Sequence, residues 1–278
     1  MRIAVSSIGA KVPLLREVKK AINRNGGGVL IGIDRDPDCV GRRFVDYFYT
    51  DIKKVIYDFL IPTRDAELEW IGKYKAVVSE DIIRFSDKYE FSQLCGSLGI
   101  KHPKTSLDRE TFSKPCIEKA RHGAGTIDMR VVYTHSFMAV KKDSEMIYQE
   151  HIAGIEYTCD AYFTNQGKLH GFILRSRDSV KNGESVITTV STDETLKALC
   201  SDYLQRFGGL RGHINMQLIG DTVIEINPRV GGASSCSFTA GLNSIDWMIL
   251  EYQGKELPPL VERVIRQVRY KCDMIEWL

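Results

Sequence analysis

The chain has 278 residues, 43% of them hydrophobic and 27% charged, with a formal net charge of +2. That length suits roughly two domains, or one domain with a lid, and the composition is ordinary for a globular protein, with no global basic field of the kind that nucleic acid attracts. Seven cysteines without a Cys-x-x-Cys pair argue against a zinc site; their odd number and the absence of a signal peptide point to a reducing cytoplasm, and no stretch approaches the ~20 apolar residues of a membrane span.

Arg2 to Ser6 reads as a short buried strand. Ser7-Ile8-Gly9 turns into a helix with Pro13 in its first turn and apolar residues at Leu14, Leu15, Val18 and Ile22; Gly26-Gly27-Gly28 ends it. Val29 to Ile33 is a second strand, so the chain opens as a βαβ unit with a parallel sheet. The three-glycine dinucleotide fingerprint is absent, and Gly9 serves strand-to-helix packing. Ile56–Ile61 and Ala76–Ser79 read as further strands. A helix from Asp87 to Leu98 stops at Gly99.

Beyond His102-Pro103, Cys116–Lys119 and Met129–Val132 flank the glycine loop His122-Gly123-Ala124-Gly125-Thr126, and Met146–Gln149 follows as a strand. Tyr157–Phe163 and Leu169–Leu174 form a hairpin about Asn165-Gln166-Gly167. Thr192–Phe207 is an amphipathic helix, Ile245–Tyr252 a second one, and Val264–Tyr270 a last strand.

The most informative stretch is the hairpin from Ile214 to Arg229. Side chains on a strand alternate between faces. A three-residue loop at Gly220-Asp221-Thr222 sets Gln217 opposite Glu225 and Asn215 opposite Asn227, and leaves Ile214, Met216, Leu218, Ile224 and Ile226 on the other face. A two-residue loop would mix polar and apolar residues on both faces. One carboxylate and three amides then share a face, followed by Arg229. Such oxygen ligands suit magnesium, which keeps waters and shares phosphate oxygens with a nucleotide; the same pattern also describes the exposed face of an ordinary hairpin.

Elsewhere the residues leave two readings open. Lys119 before the glycine loop fits a phosphate cradle or a turn with an exposed lysine, and no P-loop pattern closes it. Lys88 sits in a first helical turn. Glu150 and Ile152 lie on a crossing segment that offers main-chain groups to an adenine edge, with Glu156 in reach of ribose hydroxyls. Arg175 and Arg177 share a strand face, either as carboxylate or phosphate forks or as surface arginines of an edge strand. No serine lies in a nucleophile elbow.

In this order the motifs resemble the ATP-grasp superfamily, more narrowly its carboxylate–amine ligases and the half of the carbamoyl-phosphate synthetase large subunit. The resemblance runs from Asp87 to the C-terminus and is most specific at Glu225-Ile226-Asn227-Pro228-Arg229 after Asn215-Met216-Gln217. It implies an α/β chain: a Rossmann-like domain over 1–86, then a two-lobed ATP-grasp domain over 87–278 with a lid at about 105–152. It implies ATP contacts from Lys88, Lys119, Arg121, Gly123, Gly125, Glu150, Ile152 and Glu156, and two Mg2+ ions (Mn2+ being able to substitute) at Gln217, Glu225 and Asn227. Arg229 would steady the transferring phosphoryl group. Arg175, Arg177 and the pair Gly183-Glu184 would lie near the acceptor. The implied activity is a cytoplasmic ligase that joins a small carboxylate to an amine through an acyl phosphate, with neither nucleic acid nor membrane as partner and with a homodimer allowed. The alternatives are phosphorylation of bicarbonate or carbamate, and an ATP-binding subunit or sensor without catalysis. Two departures stand out: Ala120 follows the loop lysine where many relatives have proline, and 278 residues hold only one synthetase half.

Overall fold

The computed structural model describes residues 1–64, 67, 82–123, 129–132, 145–181, 183–270 and 272–275. Strands β1 (Arg2–Ser6), β2 (Val29–Ile33), β3 (Tyr47–Tyr49) and β4 (Phe59–Ile61) form a parallel sheet in the order β3-β2-β1-β4, with helix α1 (Val12–Arg24) between β1 and β2. The near-continuous apolar runs of β1 and β2 follow from burial on both faces. Ile3 and Val5 pack with Leu14, Leu15, Val18 and Ile22 of α1, while Ala4, Ile31 and Leu60 form a second cluster. The anticipated βαβ opening is present. β3 adds a strand that the sequence pattern did not suggest, and β4 is shorter than the expected 56–61 because Ile56 is exposed. The expected strand Ala76–Ser79 lies outside the described residues.

Helix α2 (Ile82–Ser86) leads through Asp87 into α3 (Lys88–Ser97). Asp87 caps α3: its Oδ1 accepts from the backbone N–H groups of Tyr89 and Glu90. A small antiparallel sheet follows, made of β5 (Thr105–Ser106), β6 (Cys116–Ala120), β7 (Arg130–Val132) and β8 (Met146–Glu150) in the order β5-β8-β6-β7.

The rest of the chain builds a six-stranded antiparallel sheet. Its elements are β9 (Glu156–Phe163), β10 (Leu169–Lys181), β11 (Glu184–Val190), helix α4 (Glu194–Arg206), β12 (Gly212–Ile219), β13 (Thr222–Asn227), helices α5 (Ser234–Thr239) and α6 (Ser244–Tyr252), and β14 (Arg266–Val268). The strand order is β13-β12-β9-β10-β11-β14. On one face Cys159, Leu174, Met216 and Ile226 pack against Phe91 and Cys95 of α3 and Cys200 and Leu204 of α4. On the other, Tyr162 and Ile173 join Phe238 of α5, Trp247 of α6 and the α1 side of the parallel sheet in one continuous core. That shared core sets the loop after β13 over the carboxyl edge of the parallel sheet, because Val230 is buried in the same cluster as Ile8 and Ile61. Six of the seven free cysteines are buried, and among the described residues no helix is long and apolar enough to cross a membrane.

Candidate active site

The β12–β13 hairpin has the expected pairing, reached by a different route. Gln217 lies opposite Glu225 and Asn215 opposite Asn227, but Ile219 pairs with Thr222 across a two-residue turn at Gly220-Asp221. Gly220 adopts φ +56°, as a tight hairpin turn demands. A bulge after Val223 then restores the parity, since one extra residue shifts the strand by one position. The predicted three-residue loop is therefore corrected, and so is Ile224: Val223 takes the core position beside Leu218, and Ile224 is only partly buried.

A cavity of about 240 Å³ lies against this hairpin. Lys88, Gly123, Glu225 and Asn227 line it, together with Phe85, Phe91, His122 and Pro228. Lys88 Nζ donates to the Gly123 carbonyl at 2.7 Å, and its backbone N–H to that of Arg121 at 3.1 Å. These two bonds tie the start of the glycine loop to the first turn of α3. Arg121 also grips the cap residue: its Nε lies 2.9 and 2.8 Å from the two Asp87 oxygens and its Nη2 2.6 Å from Oδ2. Burial would raise the Asp87 carboxyl, but the Arg121 bond and the N–H groups of α3 outweigh it and hold the group below the usual carboxylate range. Gly125 lies outside the described residues.

Lys119, on β6, is pushed down to about 8 by burial, with the Glu225 carboxylate opposing the shift and the Lys88 charge adding to it. Lys119 is not among the residues lining the cavity, but the charges of Glu225 and Lys88 reach it. Asn227 Nδ2 donates to Glu225 Oε1 at 3.0 Å, and Arg229 Nη2 donates to Asn227 Oδ1 at 3.3 Å. Arg177 Nη1 donates to Gln217 Oε1 at 2.7 Å and Nη2 to the Gly183 carbonyl at 2.8 Å, while its Nε lies 3.1 Å from Glu156 Oε2. Burial lowers the Arg177 guanidinium, against the pull of Glu156.

Arg175 behaves differently from its neighbour two residues on. Strand β10 is interior to the sheet, so the edge-strand reading of both arginines is corrected. Arg175 is 2% exposed, and its Nε donates to Asp160 Oδ2 at 2.9 Å. Asp160, wholly buried, also accepts from Asn215 Nδ2 at 2.7 Å, Ser234 Oγ at 2.9 Å and Ser237 Oγ at 2.5 Å. Burial alone would raise its carboxyl, yet Arg175 and the donors around it hold it ionised far below its ordinary range. Asn215 therefore points its amide at Asp160. Arg175 is absent from the cavity lining and sits in the network that anchors β9, β12 and α5 beneath it.

Glu150 ends β8 and Ile152 follows on the segment that leads to β9; neither is among the residues lining the cavity. Glu150 is exposed and accepts from the Lys104 backbone N–H at 3.3 Å; Glu156 opens β9 on the Arg177 side.

The donors at the hairpin fit a particular kind of metal. Among the described residues no group of three or more His, Cys, Asp and Glu side chains could hold an ion. Glu225 is the one carboxylate beside two amides, Gln217 and Asn227. Such a weak all-oxygen set suits a hard cation that keeps waters and phosphate oxygens in its shell, and it offers nothing to a softer metal.

Several residues that matter here escaped the sequence reading. Asp160 stands in an apolar run between Cys159 and Ala161, where a buried charge demands a partner; that was its only signal. Lys11, Ser6, Ser7, Thr63 and Glu67 meet at the carboxyl edge of the parallel sheet through contacts spanning 52 to 61 positions.

The family described as "ATP-grasp in the biosynthetic pathway with Ter operon" matches residues 142–272. Among solved structures, N5-carboxyaminoimidazole synthetase from Staphylococcus aureus superimposes with a TM-score of 0.73 at 18% identity, covering 92% of this chain and 78% of that one. A biotin carboxylase–β-γ-ATP complex from Campylobacter jejuni gives 0.73 at 17% identity, with 92% and 72% covered. The biotin carboxylase domain of 2-oxoglutarate carboxylase from Hydrogenobacter thermophilus, solved with MgADP and bicarbonate, gives 0.72 at 12% identity, with 92% and 70% covered. At these identities the likeness is one of fold. No protein of curated function matches the sequence.

Proposed function

On the premise that this chain has the ATP-grasp fold, we propose that it is an ATP-dependent ligase that joins a carboxylate to an amine. One observation carries the reading: Lys88, Gly123, Glu225 and Asn227, drawn from three separate segments, line a single cavity, with Lys119 acting electrostatically on the same carboxylate.

In the proposed reaction a carboxylate oxygen attacks the γ-phosphorus and the bond to the departing ADP breaks. The amine nitrogen then attacks the acyl carbon, loses a proton, and phosphate leaves. Gln217, Glu225 and Asn227 would hold magnesium, which would supply neutralising charge to the phosphates. Lys88 and Lys119 add positive charge from the small-sheet side and Arg229 from the end of β13. Fixed cations of this kind stabilise charge as it moves toward the leaving oxygen. Arg177 holds the Gln217 amide in place and ties it to Glu156, the residue assigned to the ribose. Arg175 positions β10 and β12 through Asp160 without touching substrate. Arg121 keeps Asp87 and the glycine loop together. Glu150 and Ile152 belong to the adenine side of the segment linking the two sheets. Residues 1–86 form the first domain in this reading and 87–278 the second; the small sheet, about 105–152, is the lid that excludes water from the acyl phosphate.

Magnesium-dependent ADP release, measured against a panel of carboxylates with amines added in pairs, tests the proposal. Release that needs both partners supports it, and release with neither sinks it. A second reading, phosphorylation of bicarbonate, draws on the 2-oxoglutarate carboxylase domain solved with bicarbonate; bicarbonate-dependent release without any amine would favour it.

A further inference from the structure

The two outer edges of the six-stranded sheet differ. At β13 the Val223 N–H donates to the Lys101 carbonyl at 2.9 Å, so the segment before β5 covers that edge. β14 ends the strand order on the other side and, among the described residues, pairs only with β11. The Ile265 carbonyl accepts from Val190 N–H at 2.9 Å, and Arg269 N–H donates to the Val186 carbonyl at 2.8 Å. In an antiparallel ladder the residues between such bonds turn their own groups the other way. The N–H and C=O of Arg266 and Val268 therefore face outward.

The side chains divide by the same alternation. Ile265 packs against the core, Gln267 Oε1 accepts from Ser235 Oγ at 3.1 Å, and Arg269 Nη1 donates to Glu184 Oε2 at 2.6 Å. On the opposite side Val264, Val268 and Tyr270 are 63%, 59% and 84% exposed, with Arg266 as the one charge between them. An apolar edge of this kind is a template for another strand.

We propose that β14 pairs with β14 of a second copy, antiparallel about a two-fold axis at Val268, so that the six-stranded sheets of two chains join edge to edge. The choice of occupant comes from the side-chain row, which is complementary to itself in this register. Valine meets valine on the axis, and each Arg266 lies opposite Tyr270 of the other copy, a cross-strand cation–π pair. Arg263 falls opposite Asp273. A pairing centred on Arg266 would oppose the two Arg266 side chains and set Arg263 against Arg269, and like charges directly opposite are unfavourable. A pairing centred on Gln267 would set each Arg266 against a valine. An unrelated extended peptide would gain the backbone bonds without this match. The pairing does not depend on the ligase reading.

Sedimentation velocity of the full chain, from about 1 to 200 µM, tests it, and a dimer should form within that range. Val268→Pro removes an N–H that β11 does not use, and Val268→Lys sets two ammonium groups against each other on the axis. Each should raise the dimer dissociation constant at least tenfold, with a melting temperature within about 3 °C of the unaltered chain. Position 268 also gives a direct readout. In a Cys272→Ser background, where the remaining native cysteines are buried, Val268→Cys treated with a mild thiol oxidant should give a disulfide-linked dimer, and Ile56→Cys, on the parallel-sheet side, should not. The proposal is overturned if the chain stays monomeric at the highest concentration, if a dimer forms that neither 268 variant weakens, or if Val268→Cys does not cross-link. A monomer that instead takes an unrelated peptide at this edge overturns it as well.

Discussion

Arg177 donates to the side-chain carbonyl of Gln217 at 2.7 Å, from a guanidinium that also faces Glu156. One fork thus joins a residue assigned to the metal with one assigned to the nucleotide. A lysine cannot span those partners, so Arg177→Lys should lower kcat by roughly 10²-fold, the scale of losing one positioned donor. In a double-mutant cycle with Gln217→Ala the two effects should fall short of additive by about 1–2 kcal/mol. Additive losses would mean that the pair acts independently.

Glu225 is the one carboxylate of the oxygen donors at the hairpin and accepts from Asn227. Glu225→Gln keeps that hydrogen bond and removes the charge. ADP release should fall by about 10³-fold or more, with a melting temperature close to that of the unaltered chain. Near-normal release would remove magnesium from this position.

Lys119 titrates at about 8 instead of its ordinary value because burial disfavours its charge. The protonated form is the one that attracts phosphate. kcat/KM for ATP, which reports the free enzyme, should therefore fall as pH rises through about 8, and Lys119→Met should lose that alkaline limb. Stability moves the other way. Between about 8 and the unfolded value near 10.4 the unfolded chain holds a proton that the folded one has shed, so folding is favoured as pH rises across that window. A flat rate profile from pH 7 to 9.5 would leave Lys119 without a role in ATP binding.

Asp160 and Arg175 form a buried ion pair reinforced by Asn215, Ser234 and Ser237. Breaking one side strands the other charge, so Asp160→Asn should cost on the order of 3–5 kcal/mol, a fall in Tm of roughly 10 °C for a chain of this size. A shift under 2 °C would show that water reaches the pair.

What was legible in the sequence was local. Alternation fixed which residues of the hairpin share a face, because apolar residues on the wrong side of a half-buried sheet are costly. The helix from Asp87 to Leu98 could be read from its own segment, and in the structure Asp87 caps it. Parity alone could not separate a three-residue loop from a two-residue turn with a bulge, since both give the same pairing of Gln217 with Glu225. Arg175 and Arg177 looked alike, as neighbours two apart on one strand. Their difference comes from Asp160, paired across β9 and β10, and a strand order that puts β10 inside the sheet was not written in the segment itself. Lys11 and Glu67 were invisible for the same reason: each gains meaning only from partners more than 50 positions away.

The bulge at Ile224 leaves that residue without a partner on β12. Deleting it would make Val223 and Glu225 successive residues, which face opposite ways on a strand, so Gln217 would still meet Glu225 and Asn215 would still meet Asn227. The donors would keep their side of the sheet, and what would go is the extra twist that a bulge gives its strand. Losing Val223 or Glu225 together with the bulge residue would be another matter, since the residues that remain would then slide along β12 and trade partners.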